Sequence, residues 1–304
     1  MDKIKKGDIV GRISYEKDII FEVKRIIKTK QGKKIVLLKG ITERIEADSD
    51  ISDLELLKKE VVKEKIRVVE EKLDRRIKVN QKDIDIKRKE ENEINKRLFY
   101  NYITGRILHL DGDKKYGQKS QKYYQKMGLT AVVKNIPEYM QPRQVYRMLA
   151  YYKPDILVIT GHDGLVKKDR NYDDIYNYRN SRYFVQTVQE ARRYERDFGA
   201  NIAIFAGACQ SYFEALIMAG ANFASSPARI LIDMLDPIIV AKKIATSEET
   251  KYITIDDIEQ ELRDGKRGVG GIGSSGMKKS ILIRDNFFWD YLWIFFCNIF
   301  VIKK

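Results

Sequence analysis

"ILVITGHDG", residues 156–164, is a short apolar run that stops at Thr-Gly-His-Asp-Gly. A run this brief, rich in β-branched residues and closed by glycine, reads as a fully buried strand. It delivers His162, one of only two histidines in the chain. A second run of the same kind, "NIAIFAGACQS" at 201–211, delivers Cys209, one of only two cysteines. Between them "SRYFVQTVQEARRYERDFG" has helical apolar spacing and the length of a crossover between neighbouring parallel strands.

The alternation continues outward in both directions. "RILHL" reads as a strand, "YGQKSQKYYQKMG" as a helix, "LTAVVKNI" as a strand, and "RQVYRMLAYYK" after Pro142 as a helix. Past Cys209, "QSYFEALIMAG" reads as a helix, "ANFASS" as a strand, "DPIIVAKKIAT" as a further strand, and "RDGKRGVGGIGSSGMKKS" as a glycine-rich loop. Alternating strands and helices predict an α/β domain over about 104–272, with a mainly parallel sheet and helices on both faces.

Residues 1–53 differ. "DIVGRISY", "IIFEVKRIIKT" and "KKIVLLKG" are three strand-like runs, which suggests a small β-barrel of the Src-homology-3-like kind packed on a neighbour. From 54 to 103 the chain is densely charged with both signs. Leu57, Val61, Val62, Ile66, Val69, Leu73 and Ile77 recur at helical spacing, so a charged helical linker or arm is expected. Residues 273–304 end in the aromatic tail "NFFWDYLWIFFCNIFVIKK", which Asp290 interrupts. The stretch after Asp290 is too short to span a bilayer alone, so a docking segment or a poorly ordered end is expected ahead of a membrane-surface anchor. Cys297 within it reads as an incidental cysteine.

The 58 Lys and Arg outweigh 44 Asp and Glu, for a formal charge of +14, which favours acidic partners at encounter and leaves the chemistry open. Two cysteines far apart make no disulfide framework, and the start "MDKIKKGDIV" has no apolar signal core, so a reducing, cytoplasmic setting is expected.

In open α/β sheets, ligands bind beyond the carboxyl ends of the strands. His162 and Cys209 would both stand there. A thiolate that attacks a carbonyl and an imidazole that moves protons to the leaving amine form a working pair for acyl transfer. Backbone amides around Gly207, Ala208 and Gln210, with Asp163 and Gly164 on the histidine side, are the candidates to hold the oxyanion. Taken alone, either residue is more often a buried core residue; their placement at equivalent strand ends makes the pair worth weighing.

The strand-to-His and strand-to-Ala-Cys layout in "ITGHDG" and "IFAGACQS" resembles the caspase, gingipain and clostripain group of cysteine peptidases. In that group glycine follows the histidine directly; here Asp163 stands there and Gly164 comes next. More closely, the chain resembles the YabG family of sporulation-specific peptidases of endospore-forming Firmicutes. The likeness lies in "GDIVGRISY", "IEADSDISDL", "ILHLDGD", "YKPDILVITGHD", "YFVQTVQEAR", "IFAGACQSYFEALIMAGANFASSPARI" and "GVGGI", over about residues 1–272. The resemblance implies proteolytic processing of spore coat and cortex-associated proteins in the mother cell, with His162 and Cys209 as the dyad. It implies no cofactor, no metal and no obligatory nucleic acid.

Asp111 and Asp113 in "HLDGDKKYG" lack the threonine expected of a phosphatase Asp-x-Asp motif, and His109, Asp111, Asp113 and His162 lack clustered metal-ligand spacing. Asp111 and Asp113 fit better in the crevice, as an acidic wall or a calcium-binding edge. If the cleft receives arginine or lysine, Asp111, Asp113, Asp163 and Asp233 are the candidates to face the cation, and cleavage after arginine is expected, with Asp111 or Asp163 first. Ser225 and Ser226, at another strand end before Pro227, either line the cleft or make a turn. The rival from another class is a non-catalytic basic scaffold or RNA-binding protein of the spore coat, for which His162 and Cys209 need not share a cleft.

Overall fold

The computed structural model describes residues 4–30, 32–98, 100–166 and 172–282. Cys297 and the whole aromatic tail at 286–304 lie outside them.

The N-terminal unit is a five-stranded antiparallel sheet: β1 (Ile9–Arg12), β2 (Phe21–Lys28), β3 (Lys34–Gly40), β4 (Glu46–Asp50) and β5 (Leu54–Leu56), in the order β4-β3-β2-β1-β5. No pairing joins β4 to β5 among the described residues, so the expected barrel is described as a sheet. Val10, Phe21, Val23, Val36, Leu38 and Leu54 turn one apolar face inward, and that face packs on Cys209 and Ile232. The N-terminal sheet is thus a cover over the cysteine loop.

A single 40-residue helix follows, α1 (Lys59–Leu98). Leu73, Ile77 and Ile84 are buried in the same apolar cluster as Ile238, Val240 and Tyr124. Arg76 reaches Asp233 at 2.7 Å and Asp236 at 3.1 Å. This part of the helix is therefore docked on the α/β unit.

After β6 (Tyr100–Ile103) come β7 (Ile107–Asp111), α2 (Lys114–Lys126), β8 (Ala131–Asn135), α3 (Gln141–Tyr152), β9 (Ile156–Thr160), α4 (Ser181–Phe198), β10 (Ala203–Ala206), α5 (Phe213–Met218) and β11 (Phe223–Ser225). Then follow α6 (Asp236–Thr246), β12 (Tyr252–Ile253), α7 (Gly265–Gly268), β13 (Val269–Gly271), β14 (Ser274–Ser275) and β15 (Lys279–Leu282). The main sheet has the order β13-β11-β10-β9-β7-β8, parallel throughout except for β13. β15 pairs with β6, and β12 with β14.

Alternation along the strands sends side chains to opposite faces. Ile107, Ile156, Val158, Ala203, Phe205 and Phe223 meet α1, α2 and α6 on one side. Leu108, Leu110, Leu157, Ile159, Ile204 and Ala206 meet α3, α4 and α5 on the other.

Two segments differ from expectation. "DPIIVAKKIAT" is the helix α6, with Pro237 in its first turn, and nearly every residue of it is buried. A helix buried all round loses the amphipathic spacing that reveals one. The glycine-rich loop holds the strand β13, whose glycines pass close to Asn222, Phe223 and Phe213.

The chain leaves β7 for β8 on one side and then returns to β9 on the other. The carboxyl ends of β7 and β9 therefore flank a topological switch point, where open α/β sheets place their ligands.

Candidate active site

β9 and β10 run parallel in register, with Ile159 beside Ala206. His162 and Cys209 each lie three residues beyond that pair. The two loops that carry them are tied by Asp163. Its carboxyl group accepts from the Gly164 and Asn180 amides at 2.9 and 2.8 Å, and from the Ser181 and Ser211 hydroxyls at 2.5 and 2.9 Å. Burial pushes the Asp163 carboxyl up to about 6 against these donors. Asp163 is thus spent on joining the histidine loop, the start of α4 and the cysteine loop.

The cysteine loop is braced from behind. Gly207 has φ +111°, and a Cβ there would stand 2.3 Å from the Ser225 hydroxyl. The Ala208 amide donates to the Ser211 hydroxyl, and the Ser225 hydroxyl donates to the Ala208 carbonyl, both at 2.9 Å. Gln210, at φ +56°, gives its amide to the Ile230 carbonyl at 3.1 Å. The Ser226 hydroxyl lies 3.2 Å from the same amide. Ser225 and Ser226 are fully buried and serve as these braces.

Cys209 is wholly buried, and its Sγ accepts from the Ile232 amide at 3.3 Å. Burial first, then the nearby Glu43 carboxyl, pushes the thiol up to about 12. His162 is also wholly buried, with its ring edge-on to Tyr116 at 5.6 Å. Neither ring nitrogen has a hydrogen-bond partner among the described residues. Burial, then the Lys39 ammonium, pulls the imidazole down to about 3. Thiol and imidazole are therefore both neutral here, and they do not hydrogen-bond to each other.

Asp111, at the end of β7, faces the switch point. It takes the Asp113 amide at 2.8 Å and the Thr160 hydroxyl at 3.2 Å. Its Oδ2 meets Arg44 Nη1 at 2.8 Å, an ion pair without the alignment of a hydrogen bond. Asp113 caps α2 through the Lys115 and Tyr116 amides and pairs with Lys39 at 2.9 Å. Burial would raise its carboxyl, but Lys39 first, then His162 and the Tyr116 amide, together outweigh that and hold it at about 2. Asp233 pairs with Arg76. Among the described residues no three His, Cys, Asp or Glu side chains are grouped to hold a metal ion.

Several residues that shape the crevice left no mark in the sequence. Arg44 comes from the β3–β4 connection. Its carbonyl lies 3.4 Å from the Asp163 amide, and its guanidinium lies over the Tyr116 ring at 4.7 Å. Glu138 lies against the two glycines at the switch point: a Cβ on Gly112 or Gly161 would stand 2.1 or 2.4 Å from its carboxyl. It accepts the His162 amide at 2.8 Å, and burial pushes its carboxyl up to about 7. A Pro-Glu pair before a helix, or an arginine in a charged turn, carries no pattern that marks such placements.

Comparison with known proteins now decides the family. The YabG peptidase U57 family matches residues 5–282. The chain belongs to the YabG peptidase family. A relative, the sporulation-specific protease YabG of Bacillus subtilis (strain 168), is 36% identical over 276 residues, which cover 89% of this chain and 95% of that protein. The YabG match thus runs to residue 282, past the limit of about 272 read from sequence motifs. Two structures of the receiver domain of the histidine kinase CKI1 from Arabidopsis thaliana, one a D1050E mutant and one with Mg2+, overlap the chain at TM-scores of 0.27 and 0.29. They cover 38% and 46% of it at 15% and 16% identity, and 76% and 90% of their own chains. Overlap at that level says nothing of this chain's fold or function. No helix among the described residues is long and apolar enough to cross a membrane.

Proposed function

We propose that the chain is a cysteine endopeptidase of sporulation, acting in the mother cell on spore coat and cortex-associated proteins and cutting after basic residues, arginine above lysine. The observation that carries the cysteine mechanism is His162. A buried imidazole with both nitrogens unpaired among the described residues costs roughly 1–3 kcal/mol, and a purely structural site would have no reason to bear that cost. Its position matches that of Cys209 on the adjacent strand.

In the reacting state the Cys209 thiolate attacks the substrate carbonyl. His162 takes the thiol proton and returns it to the departing amine, and water then releases the acyl group from sulfur. Of the amides considered for the oxyanion, those of Gly164, Gly207, Ala208 and Gln210 already serve the loops. The Asp163 amide already faces a peptide carbonyl, and the Cys209 amide has no hydrogen-bond partner among the described residues. These two are the oxyanion donors in this reading. Asp111 is the arginine-binding carboxylate in this reading, because it lies at the switch point and its Oδ2 already meets a guanidinium, that of Arg44. Asp163 instead ties the loops together, Asp113 caps a helix and pairs with Lys39, and Asp233 pairs with Arg76 on α1. A planar guanidinium suits such a carboxylate better than an ammonium does.

The test is to incubate purified chain with candidate coat proteins and to sequence the new termini. Cuts should fall after arginine and vanish in Cys209→Ala. Unchanged cutting by Cys209→Ala removes the dyad; cuts after acidic or apolar residues remove the assignment of Asp111.

A further inference from the structure

We propose that the segment Ile41–Glu46 is an intramolecular arginyl ligand that fills the substrate site in the resting chain, with Arg44 where the residue before a cut would lie. This rests on the peptidase reading above and adds what occupies the site.

Arg44 is 1% exposed, which is rare for arginine. It lies in the short connection between β3 and β4, where the sheet itself makes no demand for a buried charge. Its guanidinium crosses to the other sheet, to Asp111 at 2.8 Å and the face of Tyr116 at 4.7 Å. None of its three guanidinium nitrogens is aligned for a hydrogen bond among the described residues. An ion pair so poorly satisfied is a weak way to hold two units together, since an apolar pair of similar size commonly does as well or better. As recognition of arginine by a carboxylate, the same contact is the expected one.

The backbone is placed as a docked peptide would be. The Asp163 amide donates to the Arg44 carbonyl at 3.4 Å, and the Glu46 amide donates to the Asp163 carbonyl at 2.9 Å. Ile45 and Asp163 form a parallel bridge. The segment bends from Ile41 to Arg44, closed by the Gly40 amide on the Ile45 carbonyl at 2.8 Å, and pairs with the histidine loop only at Arg44–Glu46. Backbone pairing of this kind is a general mode of peptide binding. Gly164 makes room for it: a Cβ there would stand 2.2 Å from the Glu46 carbonyl oxygen. Ile45 is buried in the apolar cluster that holds Cys209, and the Tyr116 hydroxyl donates to the Ile41 carbonyl at 3.1 Å. The side chain on Asp111, the carbonyl on the amide after His162 and the next residue beside the cysteine form one register. An arginyl substrate must displace all of it.

The measurement is hydrolysis of a small arginyl anilide, together with the rate at which iodoacetamide labels Cys209, in the full chain and in Arg44→Ala. If the segment leaves the site in about 1–10% of molecules, its loss lowers KM about 10–100-fold and speeds labelling by a similar factor. A second measurement uses the unaltered chain, should Arg44→Ala fold poorly. Alkylation of Cys209 by an arginyl chloromethyl ketone should raise hydrogen exchange at the Glu46 amide, while the neutral iodoacetamide should raise it less. Release of a fragment that begins at Ile45, absent in Cys209→Ala, also supports the register. A folded Arg44→Ala with unchanged KM and labelling overturns the inference and leaves the peptidase intact. So does an unchanged Glu46 amide in the ketone-modified chain. Faster labelling in Arg44→Ala with no hydrolysis by any form sinks the peptidase reading while keeping the segment as the cover of Cys209.

Discussion

The two histidines sit near the ends of adjacent strands, and both are wholly buried. His109 on β7 has a partner for each ring nitrogen: the Tyr124 hydroxyl at 3.2 Å and the Thr160 hydroxyl at 2.6 Å. His162, just past β9, has none among the described residues. In both cases burial pulls the imidazole below its ordinary range, so both are neutral. Two groups alike in burial and charge thus differ in hydrogen bonding alone. In the proposed cysteine mechanism, the difference separates a residue that holds the sheet together from one kept free to exchange protons.

Exchanging the roles is the strongest way to break that contrast. His162→Ala should cut peptide hydrolysis by about 10²–10⁴-fold and cost less stability than His109→Ala, because removal of an unpaired polar group offsets part of the cavity it leaves. His109→Ala should do the reverse. It leaves a cavity and strands the Tyr124 and Thr160 hydroxyls, for a loss of roughly 2–5 kcal/mol. Denaturant unfolding beside a peptide assay reads both, and equal effects on stability would erase the distinction.

The electrostatics of the seam sharpen it at smaller amplitude. Burial raises Glu43 and Glu138 to about 7 from 4.5, and Asp163 to about 6 from 3.8. A carboxyl group raised by folding contributes its full stability below its unfolded value, and that contribution is lost as pH rises through its folded value. Melting temperature should therefore fall between about pH 4 and pH 7 on account of these groups. His162 acts in the opposite sense: lowered from 6.5 to about 3, its contribution is present above 6.5 and is lost as pH falls. Glu43→Gln and Glu138→Gln should flatten the decline towards neutral pH, and Glu138→Gln keeps an acceptor for the His162 amide. A decline unchanged in both variants would mean that these carboxyls are ionised in the folded chain.

The smallest effect tests the tie between the two loops. Ser211→Ala removes one of four donors to Asp163 and one acceptor for the Ala208 amide. A loss of about 1–3 kcal/mol in chemical unfolding is expected, with a fall in hydrolysis beyond what stability explains. Full activity would show that Asp163 positions only the histidine side.

The strands that carry the site were legible because parallel, doubly covered strands are short apolar runs, and "ILVIT" and "AIFA" stand out as such. The helix α6 was not, because its β-branched residues are buried on every side and only Asp236-Pro237 marks its start. His162 and Cys209 were readable from scarcity and position. Arg44, Glu138, Tyr116 and Lys39 reach the crevice through contacts set by how the units pack, and local sequence does not encode that. Asp111 and Asp113 looked equivalent on paper. The structure separates them, since Asp113 caps α2 whereas Asp111 lies at the switch point.

The apolar face of the N-terminal sheet closes on Cys209 and Ile232, which lie more than 150 residues later in the chain. At ordinary rates of synthesis, roughly 5–20 residues per second, that face waits on the order of ten seconds on the ribosome before its partner exists. During that interval Val10, Phe21, Val23, Val36 and Leu38 have only the rest of the N-terminal sheet to pack on, and neither Cys209 nor Ile232. The edge strands β4 and β5 are open to pairing with a neighbour in the same interval. Yield and solubility on expression should therefore depend on how quickly the second half of the chain follows the first.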